Sequence, residues 1–284
     1  SQSLLVLQDV TGSQRQLVYQ GLFFLLAGIL GIFLLFLASW NMVGKTLQPL
    51  KENQKQQAEF IAAASHELRS PLAVIQASAS AARTSPQNAG SMLSNIEKEC
   101  SRMGTLIQDL LVLAAADSRR WNLAKENLDA DTLLLDVYET FEPLCRQKKT
   151  ALHLELPDEE LPRIFCDRNR VIQILTVLLD NALSYTREGG QIDLKVSSSS
   201  RYICYAVADH GKGIPDEEKP FIFDRFYQSS RARDQKEHFG LGLSIARELA
   251  KLHKGELTVQ DTPGGGCTFL LTLPVSRIQM PGGR

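Results

Sequence analysis

The sequence predicts an α + α/β protein in three parts: a transmembrane helix, a helical hairpin that pairs with a second copy into a four-helix bundle, and an α/β sandwich. Three observations carry this reading. Residues 22–38 are wholly apolar or glycine. Apolar residues then recur on alternating three- and four-residue steps in two runs separated by a turn-rich link. Beyond residue 121, helix-period segments alternate with short β-rich runs.

The 284 residues give room for about two domains at ~100–200 residues each. A hydrophobic content of 44% supports real cores. The net charge of −1 and the scattered basic residues argue against nucleic acid as a partner, because phosphate-backbone binding needs clustered Lys and Arg. The five cysteines form no C-x-x-C pair, so zinc and redox motifs lack their minimal spacing. They read as small buried residues in a reducing compartment.

Residues 16–44 carry no charge, and a helix needs about 20 apolar residues to cross the bilayer core. Tyr19 and Trp40 stand where interfacial belts lie. Lys45, Lys51 and Lys55 follow, opposed by Arg15. This bias places the larger C-terminal part in the cytoplasm, below the inner (cytoplasmic) membrane. Residues 4–10 read like the last strand of something longer, so residues 1–16 are expected to end an extracytoplasmic segment. The transmembrane helix is assigned to residues 17–40.

The hairpin is expected over residues 41–118. Its first seam is Leu47, Leu50, Ile61, Ala64, Leu68, Ile75 and Ala82. Its second is Leu93, Ile96, Cys100, Met103, Ile107, Leu110 and Ala114. The link Thr84-Ser85-Pro86-Gln87-Asn88 is rich in turn formers. One apolar seam per helix leaves a lone hairpin partly uncovered, and a homodimer covers it. Few residues separate the membrane segment from the hairpin, so a direct helical connection is expected.

The sandwich is expected over residues 119–276, with 277–284 as a tail. Helices are predicted over 129–147, 167–185 and 241–253, and strands over 151–156, 191–196, 202–208, 257–260 and 268–273. An antiparallel or mixed sheet, covered by helices on one face, accommodates this order.

Chemistry concentrates first at Ser65-His66-Glu67-Leu68-Arg69-Ser70-Pro71-Leu72. With Ala64 and Leu68 in the seam, His66 points outward, and a neutral imidazole there offers a nitrogen lone pair as nucleophile. Glu67 can hold the proton of the far ring nitrogen. Pro71 cannot donate to the Glu67 carbonyl, so a bend is expected just below the histidine. A lone exposed histidine is ordinarily a solvated surface residue; the surrounding motif is what distinguishes this one. The stretch resembles the H-box of bacterial membrane sensor histidine kinases, S-H-E-L-R-T-P-L, with Ser70 in place of threonine. The resemblance implies that His66 is the phosphoacceptor and Glu67 its acid–base partner. Ser70 would help position water for dephosphorylating the partner protein.

In Leu178-Leu179-Asp180-Asn181-Ala182-Leu183-Ser184-Tyr185, Asn181 and Tyr185 share a helix face. A side-chain carbonyl there can ligate Mg²⁺ beside phosphates. The stretch resembles the family's N-box, with Val177 and Ser184 in place of the usual asparagine and lysine. It implies Asn181 as the metal ligand and Tyr185 beside adenine. Asp209-His210-Gly211-Lys212-Gly213 follows a strand. Its glycines let backbone approach a ligand, and its carboxylate can accept from an adenine amino group. It resembles the D-x-G-x-G box, with Asp209 as adenine reader and Gly211 and Gly213 beside the nucleotide.

Phe221, Phe223, Phe226 and Tyr227 resemble the F-box and are assigned to packing the nucleotide lid, with Arg231 or Arg233 as candidate phosphate contacts. Gly240-Leu241-Gly242 opens a helix whose N–H groups can bind phosphate, and it resembles the second glycine box, with His238-Phe239 where glycines are usual. The five boxes keep the family's order from residue 60 to 244.

The resemblance implies a Bergerat-type ATP-binding domain with ATP and Mg²⁺ as cofactors. It further implies autophosphorylation of His66 and transfer to an aspartate on a response-regulator receiver domain. Two alternatives stand beside it. One is a degenerate, non-catalytic nucleotide-binding membrane scaffold, suggested by Val177, Ser184 and the thin glycine run. The other is a gyrase- or chaperone-type ATPase, which lacks an H-box on a preceding hairpin.

Overall fold

A computed structural model describes residues 10–117, 122–229 and 239–276. The chain divides into two compact units, Ser1–Ala62 and Ala63–Arg284, and helix α1 (Val10–Thr84) contributes to both. In the first unit the 26 residues of Arg15–Trp40 have a mean hydropathy of 2.7, and none of them is buried. At about 1.5 Å per residue such a helix outreaches the ~30 Å hydrocarbon core of a bilayer. Residues 41–62 are helical throughout. The strand expected over 4–10 falls mostly outside the described residues, and Val10 already belongs to α1.

In the second unit α1 ends at Thr84, whose hydroxyl donates to Ala81 O at 3.1 Å, while Ser85 N–H donates to the same carbonyl. These bonds occupy a carbonyl that the last helical turn leaves open. A 3-10 turn (Pro86–Asn88) leads into α2 (Ala89–Asp117). The helix α1 is unbroken through Pro71. Along it Ala64, Leu68, Pro71, Ile75, Ser78 and Ala82 are buried or half-buried, which adds Pro71 and Ser78 to the expected seam, whereas Ile61, expected in it, is exposed.

Helix α2 differs from expectation. Ile96, Met103 and Leu110 are half-buried, but Leu93, Cys100, Ile107 and Ala114 are exposed. Leu106 and Leu113 are the fully buried residues instead. A second face, running through Glu99, Arg102, Leu106 and Leu113, is covered within the chain. Its charged members hid it from a reading based on apolar periodicity.

The α/β part follows as β1 (Glu126–Leu128), α3 (Ala130–Gln147), β2 (Ala151–Glu155), β3 (Ile164–Cys166), α4 (Arg168–Tyr185), β4 (Gln191–Ser198), β5 (Tyr202–Asp209), α5 (Gly242–Leu252), β6 (Glu256–Asp261) and β7 (Cys267–Pro274). Five strands form one mixed sheet, β2-β4-β5-β7-β6, in which only β2 and β4 run parallel. Alternation buries Ile203, Tyr205 and Val207 of β5 and Phe269, Leu271 and Leu273 of β7, while Cys204, Ala206, Leu270 and Thr272 on the other face stay half-exposed. Helices α3, α4 and α5 therefore cover one face, and α5 also packs against α2.

Two side chains fix the helices to the sheet. Tyr205 donates its hydroxyl to Ala130 O at 3.0 Å, at the start of α3. Asp167 caps α4 by accepting from Arg170 N–H, and accepts from Ala124 N–H as well. The short pair β1–β3, antiparallel from Glu126↔Cys166 to Leu128↔Ile164, was not foreseen. Three-residue strands carry too little alternation to be read.

Candidate functional site

On α1 the His66 side chain is 79% exposed. Its Nδ1 lies 3.6 Å from Glu67 Oε1, within ion-pair range and just beyond hydrogen-bond length. A small rotation of either side chain closes that gap, and such catalytic contacts often tighten only when substrate binds. Ser70 is exposed one turn further along the same helix face. These three side chains therefore line one accessible stripe of α1.

The second cluster lies where the ends of α4, β5 and β7 meet. Asp209, the last residue of β5, is 3% exposed. Its Oδ1 accepts from Gly211 N–H at 2.8 Å, and its Oδ2 accepts from the Cys267 thiol at 2.8 Å. Gly211 sits so close to α4 that a Cβ there would lie 2.6 Å from Tyr185 O. No other residue fits without moving backbone. Gly213 approaches the backbone of Gly266 in the turn before β7. Tyr185 caps this cluster from α4, and burial together with the nearby Cys267 pushes its phenol above the ordinary range.

One helical turn before Tyr185, the Asn181 amide donates to Val177 O at 3.0 Å. That bond turns its nitrogen back along the helix and leaves the carbonyl oxygen as the outward acceptor. Val177 itself packs against the start of α5, its methyls 3.1 and 3.8 Å from where a Gly242 Cβ would be. Gly240 adopts φ +73°, and a Cβ there would fall 2.5 Å from Tyr227 O. The left-handed turn at the mouth of α5 therefore depends on glycine. The aromatic segment packs by its rings: Phe221 stacks on Tyr227, Phe223 meets Phe269 edge-on, and Arg247 lies 5.2 Å from the Phe223 ring centre. Arg231, Arg233 and His238 lie outside the described residues.

The donor set fits Mg²⁺ carried by a nucleotide. Among the described residues no group of three or more His, Cys, Asp or Glu side chains could hold a metal ion. A magnesium ion that keeps its waters and takes phosphate oxygens needs only one or two protein oxygens. Asn181 offers one.

Asp209, Gly211, Gly213, Asn181, Tyr185, Gly240 and Gly242 thus gather around α4 and the two loops beside it, while His66, Glu67 and Ser70 share the stripe on α1. Cys267 escaped the sequence reading. The glycine run Gly264-Gly265-Gly266 stands directly before it. What places Cys267 against Asp209 is the β5–β7 pairing, with Ala208 opposite Thr268. That long-range register has no local signature.

Comparison with known proteins finds two family matches. Residues 166–277 match the histidine kinase-, DNA gyrase B- and HSP90-like ATPase family, and residues 56–119 match the His Kinase A phospho-acceptor domain. The alginate biosynthesis sensor protein KinB of Pseudomonas aeruginosa is 34% identical over 227 residues, covering 78% of this chain and 38% of KinB. Sensor histidine kinase RppB of Synechocystis sp. is 33% identical over 248 residues, covering 84% of this chain and 53% of RppB. Histidine kinase ThkA, solved in complex with response regulator protein TrrA, superposes with a TM-score of 0.65 at 25% identity, covering 80% of this chain and 64% of that one. The chain spans about half or less of the two sensor proteins. A phospho-acceptor segment leading into this ATPase fold separates the kinases from the gyrase- and chaperone-type members, and the chain belongs to the sensor histidine kinases of bacterial two-component systems.

Proposed function

We propose that the chain transfers the γ-phosphoryl group of ATP to His66 and then to an aspartate of a response-regulator receiver domain. The observation that carries this reading is the pairing, in one chain, of an open histidine beside a carboxylate with a buried aspartate among closely packed glycines.

Phosphoryl transfer asks the protein mainly for position and charge stabilisation. Asp209 accepts from the adenine amino group, and Tyr185 flanks the base. Gly211 and Gly213 let backbone approach the nucleotide, and the N–H groups opening α5 at Gly240 and Gly242 face its phosphates. Asn181 would help hold Mg²⁺ carried by the nucleotide, and the ion would supply charge neutralisation there. Glu67 holds the proton on the far nitrogen of His66 and leaves the other lone pair for phosphorus. Ser70 orients water when the phosphorylated partner is hydrolysed.

The apolar residues left open on the hairpin, Leu72, Val74, Leu93, Ile107 and Leu111, support pairing with a second copy. The segment Arg15–Trp40 supports anchoring in the inner membrane, with Lys45, Lys51 and Lys55 setting the catalytic part on the cytoplasmic side.

Two variants separate the two halves of the reaction. His66→Gln is expected to bind an ATP analogue like the wild type and to take no label from γ-labelled ATP. Asp209→Asn is expected to lose both, with nucleotide affinity reduced by a factor of at least about 10, the cost of a buried charged hydrogen bond. Label retained in His66→Gln, or unaltered binding in Asp209→Asn, contradicts the assignment of that residue.

A further inference from the structure

The loop that follows β5 is held to the sheet by a side chain that the nucleotide scheme does not use. The β4–β5 ladder ends at the pair Ile192↔Asp209, so His210 is the first residue beyond it. Its Nε2–H donates to Asp193 Oδ2 at 3.0 Å. Asp193 lies on β4, opposite Ala208, and is buried. Its other oxygen, Oδ1, accepts from Gln191 Nε2 at 2.6 Å.

A buried carboxylate is costly unless it is paired and hydrogen-bonded. Burial alone would raise the Asp193 carboxyl, but the bonds from His210 and Gln191, with the nearby Lys195, outweigh it and leave the group below the usual carboxylate range. Asp193 is therefore an anion near neutral pH. An ionised carboxylate only accepts, which fixes a proton on His210 Nε2. The Lys195 ammonium is itself engaged by Glu155 Oε1 at 2.8 Å, so the histidine is the tie between Asp193 and the loop.

The residues after His210 need such an anchor. Gly211 and Gly213 lack side chains, Gly213 adopts φ +69°, and glycine loses more freedom on ordering than any other residue. Yet Gly211 N–H has to point at Asp209 Oδ1, 2.8 Å away, because that bond orients the carboxylate. This N–H belongs to the peptide that joins His210 to Gly211, so fixing His210 to β4 fixes the donor. On the other side, a Cβ on Gly266 would lie 2.8 Å from His210 Cα, and the turn before β7 closes the space there. Order thus runs from Asp193 through His210 and Gly211 N–H to Asp209.

We propose that His210 is a positioning residue for base recognition: its bond to Asp193 aims the Asp209 carboxylate and so sets the preference for adenine over guanine. Guanine carries a carbonyl oxygen where adenine carries its amino group. A carboxylate held still repels that oxygen, whereas one free to turn rejects it less. His210 itself does not touch the nucleotide. The inference rests on Asp209 reading adenine.

The test uses the full chain in lipid, with His210→Leu, His210→Gln, Asp193→Ala and the double variant His210→Leu/Asp193→Ala. Non-hydrolysable analogues of ATP and GTP report affinity, and γ-labelled ATP reports the KM and the saturating rate of His66 labelling. His210→Leu is expected to weaken ATP-analogue affinity and raise KM about fivefold, on the scale of one hydrogen bond to a charged group. The rate at saturating ATP should stay within about twofold, as for a residue that acts on binding alone. Affinity for the GTP analogue should change less than about twofold, so discrimination falls. Glutamine restores an N–H donor, and His210→Gln should return to within about twofold of wild type. The double variant should bind no more weakly than the weaker single one, since both changes remove the same bond.

Unchanged ATP-analogue affinity in His210→Leu overturns the inference. So does an equal loss for both analogues, or a His210→Gln variant no better than His210→Leu. If Asp209→Asn binds the ATP analogue like the wild type, the adenine reading fails and this inference falls with it. A loss in Asp209→Asn without one in His210→Leu keeps that reading and removes His210 from it.

Discussion

Both oxygens of Asp209 already accept a hydrogen bond from the protein, one from Gly211 N–H and one from the Cys267 thiol. A carboxylate oxygen has room for two donors, so each can still receive an adenine amino hydrogen while the side chain is held still. Burial first, and the Asp209 charge second, push the Cys267 thiol far above its usual range. It stays S–H, and a donor, at any physiological pH. Cys267→Ala is therefore expected to weaken ATP binding about fivefold, on the scale of one modest hydrogen bond to a charged group. Cys267→Ser, which keeps a donor, should remain close to wild type. Equal ATP affinity in the alanine variant, measured by titration with a non-hydrolysable analogue, would contradict a part for the thiol in nucleotide binding.

At the scale of elements, His253 joins the end of α5 to the start of α4. Its Nδ1–H donates to Leu249 O at 2.8 Å, and its Nε2 accepts from Asp167 N–H at 3.1 Å. Both nitrogens are used by a neutral ring, and burial lowers the pKa below its ordinary 6.5. The unfolded chain thus takes up a proton that the folded chain refuses. This contribution to stability is complete above pH 6.5 and is lost as pH falls below it.

Asp109 on α2 works in the opposite direction. Desolvation raises its pKa from 3.8 to about 6, so its folded form gains as pH falls through 6. Comparison with a variant isolates the histidine. His253→Gln should lower the melting temperature at pH 7.5, by an amount set by one or two buried hydrogen bonds, about 1–2 kcal/mol. The gap to wild type should narrow toward pH 5.5. A gap that stays constant or widens on acidification would contradict the neutral assignment.

The elements that could be read from the sequence are those with a local cause. The helical run 167–185 announced α4, and the β-rich run 202–208 announced β5. The termini of α3, α4 and α5 fell within a residue or two of expectation. What escaped depended on distant partners: the strands β1 and β3, the covered face of α2 with its Glu99 and Arg102, and Cys267. The His66 stripe and the Asp209 loop were legible because their spacing is local, whereas the packing of Val177 on Gly242 needed α4 and α5 set side by side.

For the whole molecule, one account joins the parts. An apolar helix fit to cross a membrane precedes a hairpin with an open histidine, and the ATPase fold follows with its buried aspartate among closely packed glycines. Apolar side chains stay exposed on the hairpin, and α2 packs against α5. The central claim is that the chain phosphorylates its own His66. It is tested most directly by incubating the full chain in lipid with γ-labelled ATP and Mg²⁺, then mapping the label and its chemical stability. The expected result is one labelled site at His66, lost in acid and kept in alkali, as a phosphohistidine requires. An acid-stable label, or a label that persists on His66→Gln, would contradict it.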